Sequence, residues 1–230
     1  MGKSCIELKI IFEDANIIVL SKPAGLLSQG AHKNEENLVD LLRHYLGRQY
    51  VGLIHRLDRN VSGIMLIAKR TKAANRLSKS LQAGKIKRTY LGFIFGKLES
   101  EKIWRHLLLK DTVNNQVRVV STKQQLTKEA SLKVTPLNIY FLKNQWITKV
   151  LFELETGRSH QIRAQCLAEN MHLIGDPKYG IKNSIQFSRP ALHSYELCFD
   201  HPISGLSLNF KAPMPEDLIK LEQALNNQLF

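Results

Sequence analysis

Asp58 is the one acidic side chain between Asp40 and Glu99, and thirteen lysines and arginines share that stretch with it. A cationic field of this kind draws in a polyanion. A lone carboxylate within it repels phosphate unless it is aimed at another group, such as a carbon of a sugar or a base. So placed, Asp58 is a candidate nucleophile or base. The structural alternative is that it pairs with Arg56 or Arg59 or closes a turn. Its immediate context is the run His55-Arg56-Leu57-Asp58-Arg59-Asn60-Val61-Ser62-Gly63.

Three other clusters have residue types suited to the same chemistry. Lys22-Pro23-Ala24-Gly25 ends an apolar strand, where proline fixes the turn, glycine lets backbone approach a ligand, and Lys22 is offered at the strand end. Tyr90, two residues after Arg88, opens another strand, and its ring is placed either to stack on an unpaired base or to pack in a sheet. Thr156-Gly157-Arg158-Ser159-His160-Gln161-Ile162-Arg163 reads as a strand end, a sharp turn and a helix start, with Ser159 as cap and His160, Gln161 and Arg163 in the first turn. Arg163 has the planar fork that a carboxylate such as Asp58 accepts, and its alternative is a solvated helix face.

The elements that must position these residues follow from periodicity. Ile6–Phe12 and Ile17–Lys22 read as a hairpin turned at Glu13-Asp14-Ala15-Asn16. Asn37 caps a helical stripe of Leu38, Leu41, Leu42, Tyr45 and Leu46. Ile64–Ala68 is a buried strand, and Lys72–Gln82 a basic amphipathic helix stopped by Gly84, with Lys72, Arg76 and Lys79 outward. Strands follow at Arg88–Phe95, in pieces from Ile103 to Phe141, at Trp146–Leu154, Leu192–Phe199 and Leu206–Phe210, and a last helix at Glu216–Leu225. Strands dominate without βαβ alternation, which predicts an α+β fold with a mixed, largely antiparallel sheet.

The chain has 230 residues, 33 Lys plus Arg against 20 Asp plus Glu, and a net charge of +13, so nucleic acid is the expected partner. No apolar run approaches the roughly 20 residues of a membrane span, and the N-terminus lacks an apolar signal core, which predicts a cytoplasmic protein. Cys5, Cys166 and Cys198 are too scattered for a disulfide framework or a metal site, and Cys166 and Cys198 read as small buried side chains.

Taken in order, these segments resemble the RluA-type pseudouridine synthases. Lys22-Pro23-Ala24-Gly25-Leu26 resembles the first motif of that family, and His55-Arg56-Leu57-Asp58 with Ser62-Gly63 its catalytic motif. Tyr90 resembles its characteristic tyrosine and Thr156–Arg163 its arginine motif. Gly175-Asp176-Pro177-Lys178-Tyr179-Gly180, Leu192-His193 and His201-Pro202 extend the likeness, which covers about residues 10 to 215. Val61 replaces the usual Thr, Ala164-Gln165 a common Val-His, and Met171-His172-Leu173 a His-Pro-Ile-like segment.

The resemblance implies a pseudouridine synthase fold with helices flanking the sheet and a central RNA-binding cleft. It implies one catalytic domain over residues 1–230 without a separate N-terminal RNA-binding domain, acting as a monomer and without metal or other cofactor. The implied activity is isomerisation of uridine to pseudouridine in ribosomal or transfer RNA, with Asp58 as the essential carboxylate. Tyr90 stacks on the detached base, Arg163 pairs with Asp58, and Arg56 fills the space left by the everted nucleotide. Lys22, His55, Arg88 and His160 join Arg56 as expected RNA-binding residues. A side-chain carboxyl of ordinary pKa, about 3.9, is already ionised roughly 1000 to 1 at neutral pH, so a paired arginine serves geometry and field. The competing reading is a noncatalytic RNA-binding module. A kinase-like reading of His55-Arg56-Leu57-Asp58 fails because no Asp-Phe-Gly or phosphate-binding glycine loop accompanies it.

Overall fold

A computed structural model describes residues 7–30, 35–180 and 185–228. In chain order its elements are β1 (Lys9–Glu13), β2 (Ile17–Lys22), α1 (Leu38–Leu46), β3 (Gly52–Leu53), β4 (Ser62–Ala68), α2 (Thr71–Gln82), β5 (Lys87–Phe95), β6 (Lys102–Asp111) and β7 (Gln116–Val120). There follow β8 (Lys128–Leu142), β9 (Gln145–Leu154), α3 (Gln161–Ala168), β10 (Leu192–Asp200), β11 (Ser207–Lys211) and α4 (Glu216–Asn226). The chain divides into two compact units, residues 1–86 with 194–213 and residues 87–193 with 214–230.

In the first unit β1 and β2 form the expected antiparallel hairpin, with a bulge between Ile10 and Phe12. Asp14 closes its turn by accepting the N–H groups of Asn16 and Ile17, both at 2.7 Å. β4 lies antiparallel to β2 and β3 and is buried along its whole length, as a continuous apolar run requires. Ile17, Val19, Ile64, Leu66, Leu77, Leu197 and Phe199 share one core, each fully buried side chain contributing about 1.5–3 kcal/mol. α1 begins as expected, Asn37 accepting the Asp40 N–H at 3.2 Å, and ends at Gly47 in the left-handed conformation that closes helices.

In the second unit β5, β9, β8, β6 and β7 lie side by side in that order, and each neighbouring pair is antiparallel. Leu108, Val117, Ala130, Ala164 and Tyr179 form a core that joins β6, β7 and β8 to α3. α4 is tied down by polar contacts, Lys149 to Glu222 at 2.6 Å and Arg189 to Asp217 at 2.6 Å. The Tyr140 hydroxyl also donates to Glu222 at 3.3 Å; burial first, then the Glu222 charge, pushes the phenol pKa up to about 12.

The fold is α+β with largely antiparallel pairing, as the sequence predicts. Three local expectations are corrected. Ser159 is exposed and does not cap α3: the residue before the helix is His160, at φ +48°, so His160 precedes the first turn instead of lying in it. Cys198 is half-buried, because the strand that carries it alternates burial. β1 starts at Lys9; Ile6 and Cys5 lie outside the described residues. No helix among the described residues is long and apolar enough to cross a membrane.

Candidate active site

The Asp58 loop in the first unit is fastened on both sides of the carboxylate. Before it, the buried Ser28 hydroxyl donates to the Leu57 carbonyl at 2.7 Å and accepts the Leu57 N–H at 3.1 Å. After it, the Arg59 carbonyl accepts from Gly25 N–H at 2.8 Å and from Lys22 Nζ at 3.1 Å, while Arg59 Nε donates to the Gly25 carbonyl at 3.0 Å. The Val61 N–H closes a turn onto the Asp58 carbonyl at 3.1 Å. Fixing the backbone on each flank fixes where a short side chain such as Asp58 can reach.

Two residues expected to meet RNA are turned inward instead. Lys22 is 0% exposed, and its ammonium donates to the carbonyls of Pro23 and Leu26, both at 2.8 Å, as well as to Arg59. A buried ammonium must satisfy its donors, and those three carbonyls do so. Lys22 therefore ties the Pro23–Leu26 turn to the Asp58 loop and is not available as a phosphate contact. His55 is also buried, and its Nε2 accepts the Leu66 N–H at 3.1 Å, which anchors the motif to β4. Arg56, next in sequence, is exposed.

Gly63 ends the motif because nothing larger fits. It sits at φ +120°, and an added Cβ would lie 2.2 Å from the Ser194 carbonyl oxygen. The Ser194 hydroxyl in turn donates to the Ile64 carbonyl at 3.1 Å, so the close approach is part of how β10 meets the start of β4.

In the second unit Arg163 is held by a residue that the sequence reading did not single out. Its Nε donates to Asp176 Oδ2 at 2.7 Å and its Nη2 to Asp176 Oδ1 at 2.8 Å, a side-on bidentate pair of two buried side chains. Burial works to raise the Asp176 pKa, but the hydrogen bonds and charge of Arg163, with the Lys178 and Tyr179 amides, outweigh it and hold the carboxyl below its usual value. The Arg163 guanidinium also lies 4.9 Å over the Tyr179 ring. The Tyr179 hydroxyl accepts the Val117 N–H at 2.7 Å and is hydrogen-bonded to His160 Nδ1 at 2.9 Å.

The turn before α3 is built by Gln161, not Ser159. Gln161 Oε1 accepts from the Thr156 hydroxyl at 2.7 Å and from the Arg158 N–H at 3.0 Å, and its Nε2 donates to the Ser131 carbonyl at 3.1 Å. Arg88 lies across Gly157, where a Cβ would fall 2.4 Å from Arg88 Nη1. It is only 8% exposed, and its Nε has no partner among the described residues. Tyr90 is buried in β5 opposite Phe152 of β9.

Asp58 thus stands on the first unit, and Tyr90, Arg88, His160 and Arg163 on the second. A profile of the RNA pseudouridylate synthase family matches residues 16–168, a stretch that takes in all of these. The chain belongs to that family. Relatives of this RNA pseudouridylate synthase include the ribosomal large subunit pseudouridine synthase D of Nitrosomonas europaea, 33% identical over 96% of this chain and 66% of the relative. The protein of the same name from Vibrio parahaemolyticus is 33% identical over 96% of this chain and 71% of its own length. An RNA pseudouridine synthase of Bacillus subtilis is 31% identical, over 96% and 73%. The fold is that of human RNA pseudouridylate synthase domain containing 1, with a TM-score of 0.77 at 20% identity over 98% of this chain and 97% of that one. Human RNA pseudouridylate synthase domain containing 4 gives 0.75 at 19%, over 95% and 93%.

The sequence reading missed Ser28 and Asp176 as residues that fix the synthase's candidate groups. Ser28 leaves no local signal, because its partner Leu57 is distant in the chain. Asp176 had one: a lone acid between the two glycines of Gly175-Asp176-Pro177-Lys178-Tyr179-Gly180.

Proposed function

We propose that this chain isomerises uridines of ribosomal or transfer RNA to pseudouridine in the cytoplasm, as a monomer, with Asp58 as the essential carboxylate. Tyr90 and Arg163 act on the same nucleotide. The observation that carries this reading is the fastening of Leu57 and Arg59 on either side of Asp58 by Ser28, Lys22 and Gly25. A surface aspartate of no consequence has no use for so many buried contacts.

In the proposed reaction the bond from uracil N1 to the sugar C1′ breaks, the base rotates, and C5 joins C1′. The C5 proton leaves and N1 gains one, so the product is an isomer and no co-reactant is consumed. Asp58 either attacks the sugar or removes a proton from it. Arg163, bonded side-on to Asp176, orients the reacting carboxylate. The Tyr90 ring supports the detached base, and exposed Arg56 takes the place of the everted nucleotide. Arg88, beside the Gly157 turn, joins Arg56 in meeting RNA phosphate.

Mapping pseudouridines in RNA from cells with and without the gene tests the assignment and names the target. Loss of discrete sites in ribosomal or transfer RNA, restored by the wild-type gene, is the expected result. Identical maps, together with no turnover on unmodified transcripts of those RNAs, overturn it.

A further inference from the structure

Arg163 enters the proposed reaction as a guanidinium whose direction matters more than its charge, and its direction is set by a loop outside the arginine motif. Asp176 binds its Nε and Nη2 side-on, and Tyr179 lies beneath its plane. The loop that supplies both is itself tightly wound. Asp176 Oδ1 accepts the N–H groups of Lys178 at 2.9 Å and Tyr179 at 3.0 Å, and its main-chain carbonyl accepts the Gly180 N–H at 2.9 Å. Glycine is required at both ends. A Cβ on Gly175, at φ +71°, would lie 2.2 Å from the Arg189 carbonyl oxygen, and one on Gly180 would lie 2.3 Å from that of Asp176.

Such a loop does more than neutralise a buried arginine, for which one loosely placed carboxylate is enough. We propose that Gly175-Asp176-Pro177-Lys178-Tyr179-Gly180 is the positioning element of the active site. Asp176 locks Arg163 side-on, so that its guanidinium keeps a single direction. Tyr179 is the floor that keeps the guanidinium plane from tilting, and its hydroxyl, bonded to His160 and Val117, fixes the floor. The Arg163–Asp176 pair is close to neutral as a unit, so its contribution is directional hydrogen bonding and not a net positive field. This inference rests on the reading of Asp58 and Arg163 as partners in one reaction.

Asp176→Asn keeps the shape of the side chain but turns an amide N–H₂ toward one guanidinium N–H. Its kcat is expected to fall at least tenfold, as a positional error of this kind produces, with KM for RNA within about threefold of wild type. The same substitution made on top of Arg163→Lys is expected to change single-turnover rate by less than about twofold, because the fork it aims is already gone. A merely structural aspartate lowers both backgrounds alike, so multiplying losses, or an unchanged kcat in the single variant, overturn the proposal. If Asp176→Asn fails to fold, the wild-type protein still decides: a slowly exchanging Arg163 Nε–H resonance, assigned by its absence in Arg163→Lys, is expected, and rapid exchange refutes the lock. Wild-type protein that makes no pseudouridine removes the functional reading, whereas an active wild type with a normal Asp176→Asn removes only this inference.

Discussion

Lys22 shows how far a residue's type can mislead about its place. A lysine at a strand end in a basic protein suggests a phosphate contact, yet this one is buried against three carbonyls beside the Asp58 loop. Lys22→Met should leave those carbonyls without donors, at a cost of about 3 kcal/mol in urea unfolding, and lower kcat by slackening the loop. RNA affinity and its salt dependence should stay near wild type; a lost phosphate contact instead of a lost loop tie would weaken binding and flatten the salt slope. Asp58, Tyr90 and Arg163 could be picked out as candidates because they stand in short motifs. Their supports could not, since Ser28 meets Leu57 and Asp176 meets Arg163 only through the fold. Side-chain burial, which separates exposed Arg56 from buried His55 one position earlier, is likewise a property of packing.

At the scale of elements, most strands and helices lie where apolar periodicity places them: β4 as an unbroken buried run, α2 between Thr71 and Gln82, and α4 from Glu216. The start of α3 differs. Ser159 is a good cap by type, but the left-handed His160 and the Gln161 side chain build the turn, and tertiary contacts to Ser131 and Tyr179 override the local preference. Gly63 is an element-scale constraint that the sequence does announce, as the close of the Asp58 motif. Gly63→Ala combines a positive φ with a Cβ 2.2 Å from the Ser194 carbonyl oxygen, in a place where backbone must shift. Urea unfolding should show a loss of about 3 kcal/mol or more. A variant as stable as wild type would mean that β4 and β10 do not approach as closely as described.

For the whole molecule, the net charge of +13 foretells the class of partner but says nothing of where along the surface phosphates are met. RNA affinity should fall steeply between about 50 and 200 mM salt, and Arg88→Gln should reduce the slope of log affinity against log salt by about one. An unchanged slope would assign Arg88 to the support of the Gly157 turn alone. The α+β class was legible from the run of strands without βαβ alternation. The division into two units interleaved along the chain was not, because β10 and β11 return late in sequence to the unit that carries Asp58. The account as a whole turns on one carboxylate. Pseudouridine formation by Asp58→Asn should be undetectable on any RNA that the wild type modifies, with RNA affinity within about threefold, and continued turnover by that variant would contradict it.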